Sequence, residues 1–303
     1  MGKHSIAALI LTYNDSELTE KLCSYLLQQN EVKYIVVVDN SDNSAIQVYN
    51  AGAIPQIASI ITYIKAPVNN GYAAGNNIGI NHILANTDAE YIWIINNDII
   101  PQANAATSMV DALKVYNNKA ICGSVLLYYE DKDIADETAR LQCYGGGLYY
   151  SFISKSKLLF KNMPLPELQN KEKRSPDFIM GASMMVHKDI FTNVGLLSEE
   201  YFMYFEELDW QTMAQKQGYR LIVADGSLVF HMNSLSTRNN RHGFYYLLNR
   251  AAIMFTKKYY KLLLPGVLLF HIAEAIFLVP GRKSKWYTLK GLYNGLVYKQ
   301  ERN

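Results

Sequence analysis

Two groups of acids in the 303-residue chain are placed as chemistry would need them. In YIWIINNDIIPQ, Tyr91 to Gln102, a run of β-formers ends in Asn96, Asn97 and Asp98 before Pro101. Polar groups closing a buried strand are costly unless paired. They are therefore held for something: an oxygen-seeking cation, a polar ligand, or only an Asx turn or helix cap. In FEELDW, Glu206, Glu207 and Asp209 fall close together. Such acids can take a proton from a hydroxyl, although acids in a first helical turn also complement the helix dipole. A third segment, NNGYAAGNNIGI, carries Gly71, Gly75 and Gly79, which allow tight turning and close backbone approach. It opens a helix whose free N–H groups suit an anion. Its G-x-x-x-G-x-x-x-G spacing is not a dinucleotide fingerprint, and no Gly-Lys-Ser/Thr follows to make a phosphate loop.

The elements around these residues alternate. SIAALILT reads as a first strand, and DSELTEKLCSYLLQQN as a helix with Leu18, Leu22 and Leu26 on one face and Asp15 or Ser16 as its cap. YIVVVDNSDN, IITYIKA and EYIWIIN are further strands, and AATSMVDALKVYNN a further helix. This order predicts an α/β fold with a mostly parallel, doubly wound sheet and helices on both faces. Ligands gather beyond the carboxyl ends of such strands, where Thr12 to Asn14, Asp39 to Ser41 and Asn96 to Asp98 all fall. YGGGLYYS and KNMPLPELQNKEKRSPD read as an exposed loop, FIMGASMMVH as one strand, and the acids of FEELDW open a helix stopped at Gly218.

Composition narrows the class. Half the residues are hydrophobic and 18% charged, which argues against disorder, and a net charge of +2 argues neither for nor against nucleic acid. Cys23, Cys122 and Cys143 lack metal-type spacing and suggest a reducing compartment. The basic, then apolar N-terminus mimics a signal peptide, but its short apolar run ends in Thr12-Tyr13-Asn14 and reads as a strand. After about residue 240 the chain becomes apolar, aromatic and basic, with nine Lys or Arg against two Glu from Lys257 onward. Leu262 to Pro280 nearly reaches spanning length but is interrupted by Pro265, His271 and Glu274. Flanking lysines and tyrosines favour amphipathic helices on an anionic membrane surface. Packing on the main domain, a dimer interface between copies of the chain, and a true span are the competing readings.

ALILTYND, VVVDNSDN, NNGYAAGNNIGI, WIINNDI and FMYFEELDW occur in the order seen in family 2 glycosyltransferases of the GT-A fold. The chain resembles the rhamnosyltransferase-like members that build bacterial surface polysaccharides, over roughly residues 5 to 250. The resemblance implies a UDP- or dTDP-sugar donor, with Thr12, Asn14 and Asp39 around base and ribose. Asn69, Gly71, Asn77, Asn96 and Asn97 would lie along the nucleotide. Asp98 matches the last acid of the family's Asp-x-Asp motif and, with His231, would hold Mg²⁺ or Mn²⁺ on the diphosphate; Asn96 replaces the motif's first acid. Glu207 matches the usual base, with Asp209 and Glu206 as substitutes if the register differs. Arg238, Arg241 and Arg250 could clamp a phosphate. The implied reaction is inverting transfer of a hexose, rhamnose among the candidates, to a saccharide or lipid-linked saccharide at the cytoplasmic face of the cell membrane.

The expected organisation is a catalytic domain over residues 1–240, with a nucleotide-sugar half to about 100 and an acceptor half beyond it. A C-terminal helical, membrane-associating region over 241–303 follows. A sugar nucleotidyltransferase would carry a glycine-rich loop with Arg and Lys after strand one; TYNDSEL has neither. A non-catalytic polysaccharide-binding or membrane scaffold protein is disfavoured by the presence of both acid groups.

Overall fold

The computed structural model describes residues 4–41, 59–129, 139–232 and 241–299. Arg238 lies outside these residues. The chain runs β1 (Ile6–Thr12), α1 (Ser16–Leu26), β2 (Val32–Asp39), β3 (Ile61–Lys65), α2 (Tyr72–Asn86), β4 (Tyr91–Ile95), β5 (Ile99–Pro101), α3 (Ala105–Val115) and β6 (Ala120–Tyr128). It continues through β7 (Leu141–Tyr144), β8 (Gly146–Tyr150), β9 (Lys155–Leu158), β10 (Phe178–Ile179), β11 (Ser183–His187), α4 (Asp189–Asn193), α5 (Glu206–Lys216) and β12 (Arg220–His231). Three helices close it: α6 (Arg241–Tyr259), α7 (Leu264–Phe277) and α8 (Arg282–Val297).

The main sheet has the order β3-β2-β1-β4-β11-β6-β12-β5, with β7 added beside β6. Its first four strands are parallel, and the inner ones, β1 and β4, are buried apolar runs covered on both faces. β11 enters antiparallel between β4 and β6, so the second half is mixed. β12 runs parallel to β6 but shifts register between Ala224 and Leu228. The far half of β12, beyond that irregularity, pairs with β5, Val229 opposite Pro101 and His231 opposite Ile99. Pro101 thus sits on an edge strand, where a missing N–H does no harm. One core cluster packs α1 and α3 under the sheet, and another packs α2, α4 and α5 on the opposite face. α2 comes very close to β1: a Cβ on Gly79 would meet Leu9 Cδ1 at 2.1 Å.

Asp15 caps α1, accepting from the Leu18 N–H at 3.2 Å, as its sequence predicts. Two expectations are corrected. YGGGLYYS is not a loop: it supplies β8, which forms a second sheet in the order β10-β8-β9. FIMGASMMVH is not one strand but β10 and β11, separated by a turn through Gly181. No helix among the described residues is long and apolar enough to cross a membrane, so the spanning alternative has no support there. α6 packs on the main domain through Ala251, Met254 and Phe255 against Tyr201, Phe205 and Leu208.

Candidate active site

The carboxyl ends of β1, β2, β4, β6 and β12 share one rim with the start of β11, because Thr12 pairs with Asp39, Ile95 with Ser183, and His231 with Tyr128. Asn96, Asn97 and Asp98 are the turn leading from β4 to β5 on that rim, with the Ile99 N–H bonded to Asn96 O at 3.2 Å. The three side chains have different tasks. Asn97 Nδ2 points to Thr12 Oγ1, Thr19 Oγ1 and the Asp15 carbonyl at 3.3–3.4 Å, closing the turn against the start of α1. Asn96 is half-buried, its N–H donating to Ala182 O at 3.0 Å. Asp98 is buried, and its backbone carbonyl accepts from the Met232 N–H at 2.9 Å.

That last contact brings His231 beside Asp98. Nε2 of His231 lies 3.2 Å from Asp98 Oδ1, and Nδ1 lies 2.6 Å from Gln142 Oε1. An imidazole nitrogen thus faces a buried carboxylate oxygen that has no hydrogen-bond partner, a pairing that a bound cation satisfies. An imidazole nitrogen and a carboxylate oxygen suit Mn²⁺ and leave room for phosphate oxygens as further ligands. Among the described residues no group of three or more His, Cys, Asp or Glu surrounds a single point. This pair therefore fits a divalent cation only as part of a set that substrate oxygens complete. Asp98 is engaged here, not in capping α3.

Glu207 reaches the same rim from another direction. Glu206, Glu207 and Asp209 open α5, directly after Tyr204 and Phe205, which hold consecutive left-handed backbone angles of φ 72° and 71°. Non-glycine residues adopt that region only at a cost. Rings packed on both meet it: Phe244 lies edge-on to Tyr204 at 5.5 Å and Phe255 lies 5.4 Å from Phe205. Glu207 then lies over Gly181, where a Cβ would come within 2.3 Å of Glu207 Oε1 and 2.7 Å of Tyr72 Oη. Tyr72 Oη donates to Gly181 O at 3.0 Å, and the Tyr72 N–H donates to Phe202 O at 2.9 Å. Gly71, at φ 94°, must be glycine for the same approach, since a Cβ would lie 1.9 Å from Phe202 O. The glycine-rich segment and the acids thus interlock. Because Ala182 pairs with Asn96, the Cα atoms of Gly181 and Asp98 are separated by no more than about 17 Å.

The three acids divide sharply. Burial raises the Glu207 carboxyl above its ordinary value, opposed by hydrogen bonds from its own and the Gly181 backbone. Burial, then the neighbouring Glu207 charge, pushes Glu206 well above the carboxylate range, and its Oε2 has no hydrogen-bond partner. Asp209 turns away to an ion pair with Lys258 Nζ at 2.8 Å and is fully buried. Glu207 is the half-buried member of the three.

The residues expected around the nucleotide are mostly braced within the protein. Thr12 is buried and bonded to Thr19 Oγ1 and the Asp15 carbonyl. Asn14 is exposed at φ 53°, its N–H held by Ser41 Oγ at 2.7 Å. Asp39 Oδ1 accepts from the Ser41 N–H at 2.8 Å, and Oδ2 from Tyr63 Oη at 2.6 Å with Lys65 Nζ at 3.4 Å. Although burial is the largest influence and acts upward, these donors together lower its pKa. Asn69 Oδ1 accepts from the Gly71 N–H and from Asn40 Nδ2. Asn77 grips the segment before the acids, bonding both the N–H and carbonyl of Leu197 and Glu199 Oε1, and takes no place on the rim. Arg250 is directed to Glu200 O and the Tyr298 ring. Arg241 lies over the Tyr245 ring. Residues not singled out by sequence are Tyr63, Lys65, Tyr72, Gln142 and Gly181. Gly181 alone carried a signal, as a glycine inside a strand-like run.

The fold is the GT-A fold of nucleotide-sugar transferases. GalNAc-T7 crystallised with UDP, GalNAc and Mn²⁺ superposes with a TM-score of 0.67 at 11% identity, covering 95% of this chain and 54% of that one. The mannosyltransferase PcManGT from Pyrobaculum calidifontis, in complex with GDP-Man and Mn²⁺, gives 0.52 at 13% identity, covering 98% and 87%. The chain belongs to glycosyl transferase family 2, whose description matches residues 7–195. That match includes the rim turns and stops short of the acids in α5. Among characterised relatives, the low-salt glycan biosynthesis hexosyltransferase Agl10 of Haloferax volcanii is 25% identical over 224 residues, 71% of this chain and 63% of that protein. The rhamnosyltransferase WbbL of Escherichia coli K12 is 24% identical over 241 residues, 78% and 85%. The chain thus spans under two thirds of the Haloferax protein's length.

Proposed function

We propose that this protein is an inverting glycosyltransferase that moves a hexosyl group from a nucleoside diphosphate sugar to a hydroxyl of a saccharide or lipid-linked saccharide. The observation that supports the reading is that Glu207 lies over Gly181, next to Ala182, whose carbonyl accepts from the N–H of Asn96, two residues before Asp98. Asp98 and His231 are the residues to hold a divalent cation, which when bound offsets the charge of a diphosphate. Glu207 takes the proton of the acceptor hydroxyl as the new bond forms between its oxygen and the anomeric carbon. The bond from that carbon to the diphosphate breaks on the opposite face, and its electron pair leaves with the nucleoside diphosphate. Burial suits Glu207 to the task, because a base with a raised pKa takes a proton more readily once ionised.

Asp39 closes β2 on the rim, held there by Ser41, Tyr63 and Lys65, and the family resemblance gives it a hydrogen bond from a uracil or thymine imide. A UDP- or dTDP-sugar is the donor this favours. The two-part organisation, a catalytic domain followed by a membrane-associating helical region from about residue 241, supplies a lipid-linked acceptor at the inner membrane face. Incubation of the purified chain with a panel of nucleotide sugars and Mn²⁺ tests the reaction class. Slow release of nucleoside diphosphate supports it; pyrophosphate chemistry or silence with every donor overturns it.

A further inference from the structure

Helix α8 is built largely inside out. Its side turned to α6 buries Ser284, Thr288, Gly291 and Gly295, all small or hydroxylated, with Leu292 the one large apolar residue among them. The outer side carries Trp286, Leu289, Tyr293 and Val297, with Trp286 63% and Tyr293 64% exposed. Those spacings trace one helical face, yet its polarity is opposite to that of a helix covering a water-soluble core. The small residues bring backbones together: a Cβ on Gly291 would lie 2.4 Å from Tyr246 O, and one on Gly295 2.6 Å from Arg250 O. Such close packing is the habit of helices that meet lipid on their other side. α7 continues the outer surface with Leu269, 70% exposed, and Phe277, 79% exposed, while its polar His271 is turned inward to Asn249 and the Ile153 carbonyl at 2.9 Å.

Charge selects the occupant. Residues 257–299 hold eight Lys or Arg against one acid, Glu274, which is paired with Lys155 at 2.7 Å. Lys261, just before α7, and Arg282, Lys283 and Lys290 on α8 are exposed. A second copy of the chain would bring two such cationic rims together, whereas an anionic bilayer complements them. At 14 and 16 residues the helices are about 21 and 24 Å long, short of the roughly 30 Å hydrocarbon core.

We propose that α7 and α8 form a monotopic hairpin whose outer face is embedded in one leaflet of an anionic bilayer, a mode deeper than electrostatic attachment to its surface. The inference builds on the membrane placement in the functional reading but not on its chemistry. Leu269, Phe277 and Trp286 enter the acyl region, and the cations stay at headgroup level.

The chain provides its own probe. Of its three tryptophans, Trp93 and Trp210 are fully buried, so a lipid-dependent change in emission reports on Trp286. The full chain is mixed with vesicles of phosphatidylcholine and phosphatidylglycerol, with and without bromine on the acyl chains, at low and high salt. The expected result is a blue shift, quenching by acyl bromine, and binding that survives high salt. L269E/F277E should lower vesicle partitioning about tenfold or more, while nucleoside diphosphate release from a soluble donor stays unchanged. Binding abolished by salt with Trp286 unquenched would overturn insertion in favour of surface attachment. A blue shift that depends on protein concentration without lipid would assign the face to a second copy. Loss of donor turnover in the parent chain, with quenching intact, would sink the functional reading alone.

Discussion

Lys258 Nζ lies 2.8 Å from Asp209 Oδ2, joining the first helix of the C-terminal region to the helix that carries the candidate base. The carboxylate is fully buried and its other oxygen has no hydrogen-bond partner, so Lys258 is its principal compensation. Removing one member of such a pair leaves a charge stranded in a poor solvent. Lys258→Met should cost about 2–4 kcal/mol of stability, read as a lowered unfolding midpoint. Asp209→Asn should cost less, because no buried charge is left behind. Equal losses would mean the pair is an incidental contact.

Glu206 should behave as a neutral residue. Its pKa is raised in the folded state, so the stability this gives is complete below the unfolded carboxylate pKa. It is lost as pH rises through the folded value. Glu206→Gln mimics the protonated form. It should leave turnover within a few-fold, since about a factor of 10² marks loss of a general base, and it should flatten the fall of stability as pH rises above the ordinary carboxylate range. Abolished turnover with donor binding intact would move the base role to Glu206.

Gly181→Ala places a methyl group where Glu207 Oε1 and Tyr72 Oη now converge. The carboxylate must swing away, so turnover should fall by about tenfold or more with little change in nucleotide affinity. Gly71→Ala is expected to be worse, because its Cβ meets the backbone of Phe202 and its φ disfavours any side chain. Soluble expression and turnover of the two variants, compared side by side, check the ranking.

His231→Ala and Gln142→Ala separate a ligand from its orienter. Loss of His231 should weaken Mn²⁺-dependent nucleotide binding, measured by titration calorimetry. Gln142→Ala frees the ring and should weaken it less, by about 10- to 100-fold. Unchanged binding in both would remove His231 from the metal site.

Much of this was legible in the residues. β1, β2 and β4 announced themselves as apolar runs ending in polar turns, and their parallel pairing put those turns on one rim. Asp98 could be chosen because it matches the last acid of the family's Asp-x-Asp motif; alone, an acid at such an end also serves an Asx turn or a helix cap. The Gly181 turn could not be seen, since FIMGASMMVH is as apolar as a single strand and only the pairing with β4 and β8 splits it. YGGGLYYS reads as loop from its glycines, whereas those glycines let β8 lie close under β10: a Cβ on Gly146 would meet Phe178 O at 1.8 Å. The division among Glu206, Glu207 and Asp209 was also hidden, because Lys258 is 49 positions away from its partner. Cutting the chain after residue 255 would therefore remove that partner together with α7 and α8, and would confuse membrane release with damage to α5. The inside-out polarity of α8 lay in the sequence, but reading it required knowing which side faces α6.

The central claim is that Glu207 accepts a proton on the same rim where Asp98 serves the diphosphate. Its most direct test is release of nucleoside diphosphate by Glu207→Gln, under conditions where Mn²⁺-dependent nucleotide binding is shown to match the parent chain. Turnover reduced by about 10²-fold or more with binding intact is the predicted result. Turnover equal to that of the parent chain would contradict it.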